Sequence, residues 1–253
     1  MKLILPKNIY SIIFAESLKN YDNVEIIFKE ASLIATSLQE NTSAVGLIPS
    51  LELSQHKTFF VSNKAGISFD GLLSNSYFYL SKNDNRQLGQ ISLRGDVSIN
   101  EVILSKILFK ERFSSDVEIS LDTKQAVNKE QNTLVVGDEN IFSWEYGMGL
   151  SFSDQIAEML DLPYVNFVFA SQDKEAIEKF NLLIIEIDAV IEDSLSEIFE
   201  SIDYPAAVKE HIKNNFSTVY YELTPNETEA LEDLFKLLYY HGIITDIFDI
   251  KFV

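Results

Sequence analysis

The chain contains no cysteine. That excludes a disulfide framework, a thiolate nucleophile and a cysteine-ligated zinc site, and it fits a reducing compartment. Arginine is scarce: Arg86, Arg94 and Arg112 are the only three among 20 basic residues, against 39 acidic ones and a net charge of −19. Nucleic acids and anionic membranes are held by clustered Lys and Arg, and no such cluster is present, so neither is an expected partner. With nine Gly and five Pro there is little linker sequence, and no glycine-rich phosphate loop or serine elbow is found. No repeat of solenoid length is visible, and no apolar run approaches a membrane span. The first apolar stretch is interrupted by Pro6-Lys7-Asn8 and no small-residue cleavage site follows. It lacks the pattern of a signal peptide, and the expectation is a cytoplasmic protein. The three histidines, His56, His211 and His241, are far apart and show no ligand spacing, so no metal site is expected.

What is present is core-forming material. Of 253 residues, 46% are apolar and 12% aromatic, enough for one large domain or two lobes. Apolar runs at 3–5, 24–28 and 43–48 alternate with helical patterns at 9–19 and 31–39, so the first fifty residues read βαβαβ, an α/β signature. In the helix at 9–19, Ile12, Ile13, Glu16 and Ser17 are spaced to separate two faces. Further strands or edges are predicted at 58–61, 67–69 and 75–81. A polar break at 82–86 is a candidate hinge. A second block follows, with strands at 90–93, 117–120, 134–136 and 164–169 and a polar helix at 122–129. Ser98 with Glu101 forms a capping-box pattern that opens a helix to about Phe113. From Lys174 onward the pattern is helical: one long helix over 175–200, another after Tyr204-Pro205, and a third opened by the capping box of Thr224 and Glu227. The apolar tail at 243–252 is expected to pack back on the body. The predicted organisation is therefore a first lobe segment over 1–83, a second lobe over 84–170 and a helical return over 171–253. In open α/β sheets ligands sit beyond strand ends, at helix starts, which points to the turns at 6–10, 49–51, 70–76, 94–101 and 137–140.

The richest stretch is LVVGDENIFSWEYGMGLSFSDQIAEMLDLPYVNFVF, residues 134–169, which reads strand, carboxylate-bearing turn, short helix, strand. Its LVVGDENI resembles the Ile-Gly-Asp-Glu-Ala-Leu turn of the menaquinone-biosynthesis family typified by chorismate dehydratase, and LDLPYVNFVFA resembles that family's Thr-Gly-Leu-Pro-Phe-Val-Phe-Ala segment. VGLIPSLEL (45–53) and GISFDGLLSNSYFYLS (66–81) are similar to two further family turns, so the resemblance spans most of the chain. It implies a two-lobed fold similar to type II periplasmic binding proteins, with mixed sheets flanked by helices and a cleft between lobes. It also implies loss of water from chorismate to give an enolpyruvyl benzoate, by proton abstraction and departure of hydroxide. No metal or organic cofactor would be needed; the protein would supply orientation, carboxylate-binding donors and a base.

The family's Tyr-Leu-Asn turn, whose Asn is expected at the chemistry, falls on Pro6-Lys7-Asn8-Ile9-Tyr10-Ser11. Counting back from the helix end puts Tyr10 at the Asn position, with Asn8 two residues off. Asn8 and Tyr10 are thus the implied catalytic candidates, or else a solvated turn and a half-buried tyrosine. The Pro of the family's Gly-Pro-Val-x-Ser-Val strand entry falls on Leu72 and its Ser near Asn75; if a strand begins there, only one of Asn75 and Ser76 faces the cleft. The Thr-Ser pair opening the second-lobe helix has Ser98 and Asn100 as nearest counterparts. With Arg94 beside them these could bind a carboxylate at a helix N-terminus, or could be a plain cap and a surface arginine. Ser50 either presents its hydroxyl to the cleft or ends a strand. Asp138 either lines the cleft or caps the next turn. Trp144 and Tyr146 form either a ligand platform or a core plug, and the carboxylates of 175–200 a solvated helix face. Three functions follow: a chorismate dehydratase-like hydro-lyase, a non-catalytic binder of a small carboxylate on the same fold, or an acidic interaction protein using the C-terminal helices. The partner is expected to be a small molecule, and the chain a monomer or homodimer.

Overall fold

The computed structural model describes residues 1–21, 23–81, 89–124, 130–143, 146 and 148–253. The candidate hinge at 82–86, most of the predicted polar helix at 122–129 and Trp144 lie outside the described residues; residues 122–124 are loop.

Two mixed sheets organise the chain. The first contains β1 (Lys2–Pro6), β2 (Glu25–Lys29), β3 (Val45–Pro49), β4 (Phe60–Phe69), β10 (Tyr164–Ser171), β11 (Val219–Glu222) and β12 (Lys251–Phe252). Its order is β11-β4-β10-β3-β1-β2, with β12 also on β4. The second contains β5 (Ser76–Tyr79), β6 (Gln90–Gly95), β7 (Glu118–Leu121), β8 (Thr133–Val136) and β9 (Leu150–Ser151), in the order β7-β6-β8-β5-β9. The helices are α1 (Ile9–Ser17), α2 (Ala31–Glu40), α3 (Ile99–Phe113), α4 (Asp138–Ser143), α5 (Phe152–Leu160), α6 (Lys174–Leu183), α7 (Ile187–Ser201), α8 (Ala206–Asn215) and α9 (Pro225–Tyr240). A 3₁₀ turn covers Ser50–Ser54.

The opening βαβαβ forms as read, with β1 parallel to both β2 and β3. Sheet membership corrects the predicted division at 83 and 170. β5 pairs with β8 in the second sheet, whereas β10 pairs antiparallel with β3 and β4 in the first. The chain thus changes sheets between Phe69 and Ser76 and again between α5 and β10. β10 is buried along its whole length because β3 and β4 flank it and α5, α6 and α9 pack on it. A continuous apolar strand belongs in such a place.

Three local readings also change. α1 is buried almost all round, because α7 packs on the side that the pattern left for solvent. The long helix at 175–200 is two, broken where Glu186 takes a left-handed φ of 56°. That conformation costs an L-residue roughly 1–2 kcal/mol, and here it lets Ile184 and Ile187 both enter the core. The edges predicted at 58–61 and 67–69 are one strand, β4, whose pairing with β10 carries two register shifts. The tail returns as expected: β12 runs parallel to the start of β4 in the same chain.

Two apolar clusters stabilise this arrangement. One lies between the first sheet and α1, α6, α7 and α8, around Phe14, Phe169 and Phe180. The other is continuous from Ile4, Ile48 and Val168 of the first sheet, through Phe152 and Tyr164, to Phe78, Leu93 and Leu134 of the second. Each fully buried Leu, Ile or Phe contributes about 1.5–3 kcal/mol, so the lobes are joined by core as well as by chain.

Candidate functional site

The strand ends of both lobes meet at one junction, and its residues are set by the β6–α3 turn. Gly95 ends β6 with φ 95°, and a Cβ there would lie 2.1 Å from the Val136 carbonyl oxygen. Only glycine fits that approach. The next residue, Asp96, reaches across to the first lobe and accepts two hydrogen bonds from the backbone N–H of Ala31, at 2.9 and 3.1 Å. Ala31 starts α2, whose own N-cap residue, Glu30, makes no side-chain cap. Burial pushes the Asp96 carboxyl up to about 6, opposed by the Ala31 bond and reinforced by Glu30 and Asp138.

Two residues on, Ser98 and Glu101 form the predicted capping box. The Glu101 carboxylate accepts from the Ser98 backbone N–H at 2.9 Å and from the Ser98 hydroxyl at 2.6 Å. Glu101 is buried, and desolvation moves its carboxyl up to about 7. Asn100 also turns to the first lobe. Its Oδ1 accepts from the Leu51 backbone N–H at 3.0 Å, and its Nδ2 donates to the carbonyl oxygen and Oδ1 of Asn166 at 2.8 and 3.0 Å. Ser50 is fully buried with its hydroxyl 3.4 Å from the same Nδ2. Ser50 and Asn100 are thus brought together across the lobes, with Ser98 beside Asn100 in the same helix start.

Arg94 is committed to acidic neighbours. Its Nε donates to Glu139 at 2.6 Å and its Nη1 to the Lys124 carbonyl at 2.7 Å, with Asp122 at 3.4 Å. Beside it lies a cavity of about 350 Å³ lined by Glu30, Ser32, Arg94, Asp96, Asp122 and Thr123, with Leu93, Gly95, Val97 and Leu121. Arg94 is the one cation among the described residues lining it, against three carboxylates.

The Gly-Asp-Glu turn after β8 is structural at each residue. Gly137 has φ 68° and donates its N–H to the Asn75 carbonyl at 2.7 Å. Asp138 opens α4 and accepts both its hydrogen bonds from the Tyr204 hydroxyl, at 3.0 and 2.9 Å. Glu139 holds Arg94. Asn75 itself is buried at the start of β5.

At the other end of the junction, Asn8 is the N-cap of α1: its Oδ1 accepts from the Ser11 N–H at 2.9 Å, and its buried Nδ2 has no hydrogen-bond partner among the described residues. Neither it nor Tyr10 is solvated, contrary to one reading of the sequence; Tyr10 is 1% exposed. The Tyr10 hydroxyl lies 2.9 Å from that of Tyr146 and donates to the Ser74 carbonyl at 3.3 Å, while its ring packs edge-on to Phe69. Burial pushes the Tyr10 phenol well above its ordinary value. Tyr77 packs against Tyr146, whose ring also meets His211 edge-on. The histidines stay apart: His56 lies beside Glu52 and Phe59, and His241 beside Glu111. Among the described residues no group of three or more His, Asp or Glu side chains is placed to hold a metal ion.

Sequence reasoning missed Asp96, Glu30 and Asp122. The available signal was Gly95-Asp96 between a strand and a capping box, a place where a turn residue must project. No helix among the described residues is long and apolar enough to cross a membrane.

No protein-family model and no curated protein matches the chain. Solved structures do. Protein AF1704 from Archaeoglobus fulgidus aligns over 96% of this chain and 98% of its own, with TM-score 0.65 and 15% identity. The periplasmic aliphatic sulphonate-binding protein SsuA from Escherichia coli aligns over 99% and 95%, with TM-score 0.58 and 10% identity. The Candida albicans CA3427 gene product, described as having the generic periplasmic binding protein structural fold, aligns over 97% and 91%, with TM-score 0.54 and 12% identity. The chain therefore has the two-lobed, mixed-sheet fold of type II periplasmic-binding-protein-like structures.

Proposed function

We propose that the protein is a non-catalytic binder of a small polar solute, taken at the lobe junction beside the β6–α3 turn. The observation that carries this is the state of Arg94: the one cation among the described residues lining the junction cavity is already neutralised by Glu139 and Asp122. With Glu30 and Asp96 also on the wall, the site disfavours a carboxylate and suits a neutral or amine-bearing solute. That departs from the small carboxylate expected from the sequence. The volume is within the range of small-molecule sites, and the fold also serves solute binding in a structural neighbour, the sulphonate-binding protein.

The catalytic alternative is weakened by its own candidates. Asn8 commits its Oδ1 to a helix cap and keeps only its Nδ2 for a ligand, and Tyr10, at the position of the family's Asn, is buried with its proton held. One observation favours chemistry: Asp96, with its carboxyl near 6 and a wall of the cavity, has the pKa of a general base. Both of its oxygens, however, already accept from Ala31.

Calorimetric titration with ribose, ethanolamine and malonate, beside an absorbance assay with chorismate, separates these readings. Saturable heat with ribose or ethanolamine, none with malonate, and unchanged chorismate are expected. Malonate binding would overturn the charge argument, and chorismate turnover above buffer would replace the binder with a hydro-lyase.

A further inference from the structure

We propose that the turn from Asp96 to Asn100 is a latch by which the second lobe holds the first lobe closed. Helical segments begin with backbone N–H groups that have no partner within the helix. Two of the starts in the first lobe that lack a local side-chain cap lie at this junction. Glu30 makes no side-chain bond to α2, and the residue before the 3₁₀ turn at Ser50–Ser54 is Pro49, whose side chain has nothing to offer. Both are capped from the other lobe. Asp96 takes the N–H of Ala31, and Asn100 takes that of Leu51.

These two acceptors move as one body. Gly95 is held against Val136, the Val97 N–H bonds the Gly95 carbonyl at 2.9 Å, and the Ser98–Glu101 box fixes the first turn of α3. Asn100 also donates across the junction to both oxygens of Asn166 on β10 of the first sheet, bonds that belong to the same closed contact. Opening the junction at this turn therefore breaks both caps together, and keeping either one favours keeping the other. The latch governs closure of the same junction proposed above and draws its use from that reading. Its test contains no ligand, so the two fail separately.

Amide hydrogen exchange on the full chain decides it, with Asp96→Ala and Asn100→Ala read at the amides of Ala31 and Leu51. A latch predicts that each variant speeds exchange at both amides, by about five- to tenfold for the loss of one cap, while the sheet amides of Ile4 and Val168 keep their wild-type rates. Two independent contacts predict that each variant loosens only its own partner, and that result overturns the proposal. Asp96→Asn, which keeps an acceptor oxygen, guards against a variant that unfolds globally. It should exchange at Ala31 like wild type, and exchange as fast as in Asp96→Ala would also reject the latch.

Discussion

The carboxylate of Asp96 caps the helix that begins at Ala31, 65 residues earlier in the chain and in the other lobe. A cap normally comes from the residue just before its helix. Here it comes from a turn that Gly95 alone permits, so the closure of the junction depends on backbone geometry in the second lobe.

Gly95→Ala should destabilise the fold by about 2–4 kcal/mol, since it combines a strained positive φ with a Cβ driven into a backbone oxygen. Urea denaturation would show it as a lower midpoint at unchanged slope. An unshifted midpoint would mean that the turn relaxes and does not need glycine.

Stability should fall as pH rises from 5 to 8. Glu101 has its carboxyl raised to about 7, and Asp96 and Asp188 theirs to about 6, each chiefly by burial. The folded chain therefore keeps protons that the unfolded chain releases. Stability is fully present below the ordinary carboxylate range and is lost as pH passes through these raised values. Thermal melts across this range check the sign. Relief of repulsion at a net charge of −19 acts in the same direction, so Glu101→Gln provides the control, and it should flatten the decline between pH 6 and 8. A slope as steep as in wild type would assign the effect to general charge.

At Tyr10 the two informative substitutions differ in size. Tyr10→Phe removes only the hydroxyl shared with Tyr146 and Ser74, and should cost about 1 kcal/mol. Tyr10→Asn restores the residue type of the resembling family but empties a fully buried ring site against Phe69, and should cost about 3–5 kcal/mol. Gain of chorismate turnover by the stable Asn variant would show that Tyr10 blocks a working site and does not build a core.

Arg94→Gln leaves Glu139 and Asp122 without their shared cation and should cost about 2 kcal/mol, below the full penalty of a buried pair because Glu139 is 28% exposed. Glu139→Gln in the same chain should recover part of that loss. A double-mutant cycle by denaturation measures the coupling, and strict additivity would reject the pairing.

Much of the architecture was legible locally. β1 to β3 with α1 and α2, the short helix α5, and both capping boxes follow from patterns confined to a few residues. The Gly-Asp-Glu turn was legible as a turn. Its division of labour was not, because Tyr204, Arg94 and Asn75 are distant in sequence. The exchange of β5 and β10 between sheets was equally hidden: strand character is a property of the segment, whereas its neighbours are chosen by crossovers.

The amino-acid sequence by itself determined an acidic, cysteine-free α/β chain with its opening βαβαβ and both capping boxes, since periodicity, capping and turn chemistry act over a few residues. Only the tertiary structure decided that Arg94 is neutralised, that Tyr10 is core, and that Asp96 and Asn100 cap the opposite lobe. Those are relations between groups tens of residues apart, and they exist only once two sheets have brought their strand ends together.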